Sequence, residues 1–201
     1  MEQQFQYYAF ISYKREDEKW AKWLQDRLRW YKLPSKLCRQ ITRLPKKVWP
    51  VFRDNTDLDS GRLEENIRHE LERSHYLIVI CSPEAARSPW VGKEVKYFAT
   101  LHGADKIIPF VVSGIPYSND IETECIHEQI KAISQEELLA INVREEGIGS
   151  FAMKKKRAFI RVVARLLDIK FNTLWQPYER ILRIRKWSTG IGVVLFLFVL
   201  F

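Results

Sequence analysis

The chain has 201 residues and a mass of 24.0 kDa, with 46% hydrophobic and 13% aromatic residues. That is enough to bury one sizeable core with extra elements at an end. The three cysteines, Cys38, Cys81 and Cys125, lie far apart without a CxxC pair, which argues against a disulfide framework or a zinc ribbon and fits a reducing cytosol. The net charge of +8 is concentrated in the last quarter, in Lys154 to Arg157 and Arg180 to Lys186, and so points to a membrane or acidic surface ahead of any specific nucleic acid.

In chain order, Met1 to Gln6 is polar and no secretory leader follows it. YYAFISY (7–13) reads as a buried strand, and EDEKWAKWLQDRLRWY (16–31) as a helix with Trp20, Trp23, Leu24, Leu28 and Tyr31 at helical spacing. VWPVF (48–52) is a strand that Pro50 assigns to an edge or a strand end. RDNTDLDSG then forms a polar loop and RLEENIRHELERS a helix. YLIVIC (76–81) is apolar throughout, as central strands covered on both faces are. SPWVGKEVKYFATLH is the next helix, KIIPFVV (106–112) the fourth strand, ELLAINV (137–143) the fifth, and MKKKRAFIRVVARLLDI (153–169) the closing helix. Strand and helix alternating five times predict a parallel sheet with helices on both faces. Residues 171–187 read as a basic juxtamembrane linker.

The end is apolar: from Ser188 it reads STGIGVVLFLFVLF, with no charge after Lys186. A helix from Thr189 to Phe201 would be about 20 Å long against a hydrocarbon core of roughly 30 Å, so it does not span alone. Four readings stand: a spanning helix continuing past Phe201, a shallow anchor, an oligomer contact, or a buried core helix. RILRIRKW just before it has the charge expected on the cytoplasmic side, which would put residues 1–187 in the cytosol.

Open parallel sheets bind ligands outside the carboxyl ends of their strands. That directs attention to SYKR (12–15), RDNTDLDSG (53–61), CSPEAARSPW (81–90) and VSGIPYSND (112–120). Ser88 is a good N-cap and Pro89 suits the first helical position. On the helix that follows, Trp90, Tyr97 and Leu101 fall together beside Val91, Val95 and Phe98, while Lys93, Lys96 and Thr100 face away. Glu94 lies inside the apolar arc, one turn after Trp90. A buried carboxylate needs a partner. Either this turn lines an open cleft, or Glu94 pairs with a cation such as Arg15, Arg53 or Arg87.

YAFISYKRED at the first strand, FRD followed by LDSG in the second loop, and LIVICSPEAARSPWVGKE at the third strand, in this order, resemble a bacterial-type Toll/interleukin-1 receptor (TIR) domain over roughly residues 5–170. The resemblance implies a flavodoxin-like fold over residues 1–170, and in many members cleavage or cyclisation of NAD as substrate, with no further cofactor. The family's catalytic glutamate, four residues after a tryptophan, lands on Glu94. Trp90 would shape the cleft and stack on the substrate, and Ser12, Tyr13, Lys14 and Arg15 would form the nucleotide-facing loop, with Asp54 and Ser82 as further contacts. Where the family loop commonly carries Pro-Gly, this chain has Ser60-Gly61. The implied activity is that of an NAD nucleosidase or ADP-ribosyl cyclase in anti-phage defence, oligomeric through TIR contacts and tethered to the cytoplasmic face of the inner membrane by residues 188–201. The alternative is a non-catalytic TIR scaffold with Glu94 occluded.

Other motifs carry less. RDNTDLDSG fails as a calcium loop, with Ser60 where glycine belongs and Asn66 where the last glutamate belongs. Cys81-Ser82 stands where a phosphoacceptor aspartate would be. Gly147-Ile148-Gly149 is a lone GxG. His69, His75, His102 and His127 lack metal-ligand spacing and read as surface or helix-face residues.

Overall fold

The computed structural model describes residues 5–41, 44–53, 61–133, 140–144, 147, 149–176 and 179. The elements are β1 (Tyr7–Ser12), α1 (Glu18–Trp30), α2 (Ser35–Gln40), β2 (Val51–Arg53), α3 (Gly61–Glu72), β3 (Ser74–Cys81), α4 (Pro83–Ala86), α5 (Pro89–His102), β4 (Ile107–Val111), α6 (Glu128–Ile133), β5 (Ile141–Asn142) and α7 (Phe151–Leu166).

All five strands pair in parallel, in the order β2-β1-β3-β4-β5. Alternation along each strand feeds two cores. Ala9, Ile11, Tyr76, Ile78, Ile80, Ile108 and Phe110 face one, with Leu24 and Leu28 of α1 and Val162 and Val163 of α7. Phe10, Leu77, Val79, Cys81, Ile107 and Val111 face the other, with Ile67 and Leu71 of α3, Val91, Val95 and Phe98 of α5, and Ile130 of α6. A sheet covered on both faces explains why β3 is apolar at consecutive positions. The fold is the flavodoxin-like α/β architecture, and its strand order reverses between β1 and β3, where such sheets open a crevice for ligands.

Several elements differ from the sequence reading. The second strand begins after Pro50 rather than at Val48, although it lies at an edge of the sheet as Pro50 indicated. A 3₁₀ turn over Arg15–Asp17 precedes α1, which starts at Glu18. The closing helix starts at Phe151, capped by the Ser150 hydroxyl, which accepts from Met153 N–H at 3.4 Å. In the region read as a fifth strand over 137–143, β5 comprises Ile141–Asn142, and 134–139 lie outside the described residues. On α5 the sheet-facing stripe is Val91, Val95 and Phe98, and Leu101, grouped in the sequence with Trp90 and Tyr97, lies on the flank and is 45% exposed. His127, read as a surface or helix-face residue, is buried.

Residues 171–176 are helical, and among the described residues no helix is long and apolar enough to cross a membrane. The apolar tail 188–201 and most of the basic linker lie outside the described residues, as does the polar loop at 54–60.

Candidate active site at the β1/β3 switch point

Ser88 starts α5, its hydroxyl accepting from Val91 N–H at 3.4 Å, with Pro89 at the first helical position. At about 100° per residue, Glu94 lies about 60° from the centre of the sheet-facing stripe, on its border with the flank that carries Trp90 and Tyr97. From there its carboxylate reaches the tip of β1. The Ser12 hydroxyl donates to Glu94 Oε2 at 2.5 Å, linking residues 82 apart in sequence, and both side chains are buried, Glu94 being 5% exposed. The bond fixes the orientation of the carboxyl group.

Glu94 also lines a cavity of about 300 Å³ between α3 and α5. Its apolar wall is Ile67, Leu71 and Trp90, and its cationic rim includes Arg68, Lys93 and Lys96. Arg68 stands over the Tyr97 ring at 5.3 Å and Lys93 over the Trp90 ring at 5.6 Å. Tyr97 is fixed by donating its hydroxyl to Glu72 at 2.5 Å. Apolar walls with a few convergent polar groups are the usual make-up of a small-molecule site, and this volume is at its lower end. Two of the cations considered as partners for Glu94 are engaged elsewhere. Arg53 donates to Tyr13 Oη at 3.0 Å and Gln25 Oε1 at 3.1 Å and pairs with Glu18. Arg87 pairs with Glu122 at 3.9 Å.

The loop after β1 begins at Ser12. Tyr13, half-buried, lies under Arg53, whose guanidinium is 5.7 Å from the ring centre. Lys14 is half-buried and Arg15 exposed. Ser82, just beyond β3, is fully buried: it donates to Asp17 Oδ2 at 2.5 Å and accepts from Ala85 N–H at 3.0 Å, capping α4. The structure thus brings Ser12, Glu94 and Trp90 to one place, and commits the Ser82 hydroxyl to Asp17 and a helix cap. Asp54 lies outside the described residues.

Two residues here, Asp17 and His127, were given no part in the site from the sequence. Asp17 is buried, and burial raises its pKa above the ordinary 3.8 against the opposing Ser82 bond. Its N-cap position was a signal, although the side chain makes no capping bond. His127 packs its ring on Gly92, where an added Cβ would stand 2.5 Å from Cε1. Its Nδ1 accepts from Gln129 N–H at 3.0 Å, which makes Nε2 the donor to Ser88 O at 3.1 Å. Burial lowers its pKa below 6.5, against the nearby Glu128. Among the described residues no group of three or more His, Cys, Asp or Glu side chains is placed to hold a metal ion.

The family model of the TIR domain matches residues 9–146. A stretch of 110 residues is 36% identical to a protein of Actinoplanes sp. named NAD(+) hydrolase ApTIR; it is 54% of this chain and 14% of that relative's length. Among solved structures, the TIR domains of the activated Roq1 resistosome, which directly recognises the pathogen effector XopQ, superpose with a TM-score of 0.51 at 14% identity, over 77% of this chain and 98% of that one. At that identity the likeness is one of fold. With its family model matched from β1 to beyond β5, and with its five parallel strands in flavodoxin-like order, the chain belongs to the TIR-domain family.

Proposed function

We propose that this TIR domain cleaves the bond between ribose and nicotinamide in NAD, releasing nicotinamide and an ADP-ribose-type product. The observation that carries this is Glu94, one turn after Trp90, with its carboxylate held by Ser12 at the tip of β1 and forming part of the wall of a cavity between α3 and α5. The 36% identity to a relative named as an NAD(+) hydrolase supports it.

The chemistry suits a single carboxylate. As the C1′–N bond breaks, its electron pair passes to the pyridinium nitrogen and nicotinamide leaves neutral, so no acid is needed to protonate the leaving group. Positive charge grows on the ribose, as in the oxocarbenium-like transition state of glycoside hydrolysis. A fixed anion beside it stabilises the transition state more than the ground state. Attack by water at C1′ gives ADP-ribose and a proton, and attack by a group of the substrate itself gives a cyclic product. The cavity has room for one ring-and-sugar half of a dinucleotide, with Trp90 as a stacking surface. Tyr13, Lys14 and Arg15 then meet the nucleotide, an aromatic ring for a base and cations for the diphosphate. In the same reading the domain works as an oligomer in anti-phage defence, on the cytoplasmic face of the inner membrane to which residues 188–201 tether it.

The test is nicotinamide release from NAD by purified protein, concentrated or crowded on lipid vesicles, with Glu94→Ala beside it. Release by the wild type alone supports the assignment, and equal release by both removes it. The scaffold reading draws on the 5% exposure of Glu94. Under several assembly conditions, release by neither protein decides for it.

A further inference from the structure

The residues between β1 and α1 hang between two buried serine–carboxylate links that run in opposite directions. At one end the Ser12 hydroxyl donates to Glu94 of α5, and at the other Asp17 accepts from Ser82, both at 2.5 Å. Asp17 N–H also donates to Lys14 O at 2.7 Å, closing the turn over Lys14–Asp17 that follows Tyr13. Ser82 in turn caps α4, and Ser88 N–H donates to Ala85 O at 3.1 Å, so the chain passes without slack from Ser82 to the cap of the helix that bears Glu94.

Asp17 occupies the N-cap position of α1 yet makes no side-chain cap bond. As the last residue of the 3₁₀ turn, with φ −95° and ψ 8°, it lacks the extended backbone from which a side chain caps a helix. Its carboxylate, 7% exposed, accepts from a hydroxyl 65 residues distant. A buried carboxylate needs such a partner, and this one joins the end of the loop to the start of α4.

We propose that Asp17 is a positioning residue which, through Ser82, fixes the Tyr13–Lys14–Arg15 loop relative to α5 and thereby sets affinity for the nucleotide part of the substrate. This rests on the NAD-cleaving reading above. The loop meets groups that do not react, so its displacement weakens ground state and transition state alike, and the effect falls on KM rather than kcat.

Asp17→Ser is the discriminating variant, because serine keeps a polar group at the start of α1 but is too short to hold Ser82. It should melt no lower than Asp17→Ala, raise KM for NAD about tenfold and leave kcat within about twofold. Asp17→Asn keeps an oxygen that accepts from Ser82 and should recover most of the lost affinity. A wild-type KM in Asp17→Ser overturns the proposal while leaving the NAD-cleaving reading intact. A kcat loss at unchanged KM overturns it as well. Equal nicotinamide release from wild type and Glu94→Ala overturns that reading, and this proposal with it.

Discussion

Replacing Gly92 with alanine puts a methyl group where α5 meets the His127 ring. The new Cβ would lie 2.5 Å from Cε1 and 2.7 Å from Nε2, far inside van der Waals contact. The ring has no easy retreat, because Nε2 is bonded to Ser88 O at 3.1 Å and Nδ1 to Gln129 N–H at 3.0 Å. Overpacking of this kind costs roughly 1–3 kcal/mol, and a pinned ring places it at the upper end. Alanine in a helix interior returns about 1 kcal/mol over glycine. The net loss is about 2 kcal/mol, which for a chain of this size lowers the melting temperature by about 4–8 °C. Thermal unfolding followed by circular dichroism reads it. In a His127→Ala background the clash is gone and Gly92→Ala should stabilise by about 1 kcal/mol, a coupling of about 3 kcal/mol between the two positions. A Gly92→Ala protein as stable as the wild type, or the same shift in both backgrounds, would refute the reasoning. Because Glu94 lies two residues further along α5, nicotinamide release should fall by more than the folded fraction does.

Ser12→Ala deletes the donor to a buried carboxylate, a bond worth about 1.5–3 kcal/mol; stability by denaturant titration and nicotinamide release should both drop, and Ser12→Thr, which keeps the hydroxyl, should recover release. His127 gives a pH dependence with a definite sign. Burial holds its pKa below 6.5, so as pH falls through 6.5 the unfolded chain takes up a proton that the folded chain refuses, and the stability of the native state falls. His127→Gln removes this term, and melting temperatures of the two proteins between about pH 8 and pH 5 should converge toward the acid end; a constant difference contradicts the assignment.

The alternation of apolar and amphipathic runs made the parallel sheet legible, because strands covered on both faces are apolar at consecutive positions and helices carry a stripe. Glu94 was legible for the complementary reason that a charge within such a stripe conflicts with burial. Serine–carboxylate links across 82 and 65 residues leave no local periodicity, so neither Ser12–Glu94 nor Asp17–Ser82 could be read from spacing. The helices α2 and α6 have six residues each, too short to show a stripe, and their stability comes from packing. The helical wheel grouped Leu101 with Trp90 and Tyr97 beside the Val91, Val95 and Phe98 stripe, but a wheel does not say how far the sheet covers each face. His127 was read as a surface or helix-face residue because the feature that buries it is the missing side chain at Gly92, on α5.

The most direct measurement is nicotinamide release by Glu94→Gln. Glutamine has the shape of glutamate and its amide oxygen accepts from Ser12, so the fold and the cavity wall persist while the negative charge is lost. The account predicts a rate at least about 100-fold below wild type, as for loss of a preorganised electrostatic partner, with an unchanged melting temperature. A Glu94→Gln protein releasing nicotinamide within a few-fold of the wild-type rate would contradict it.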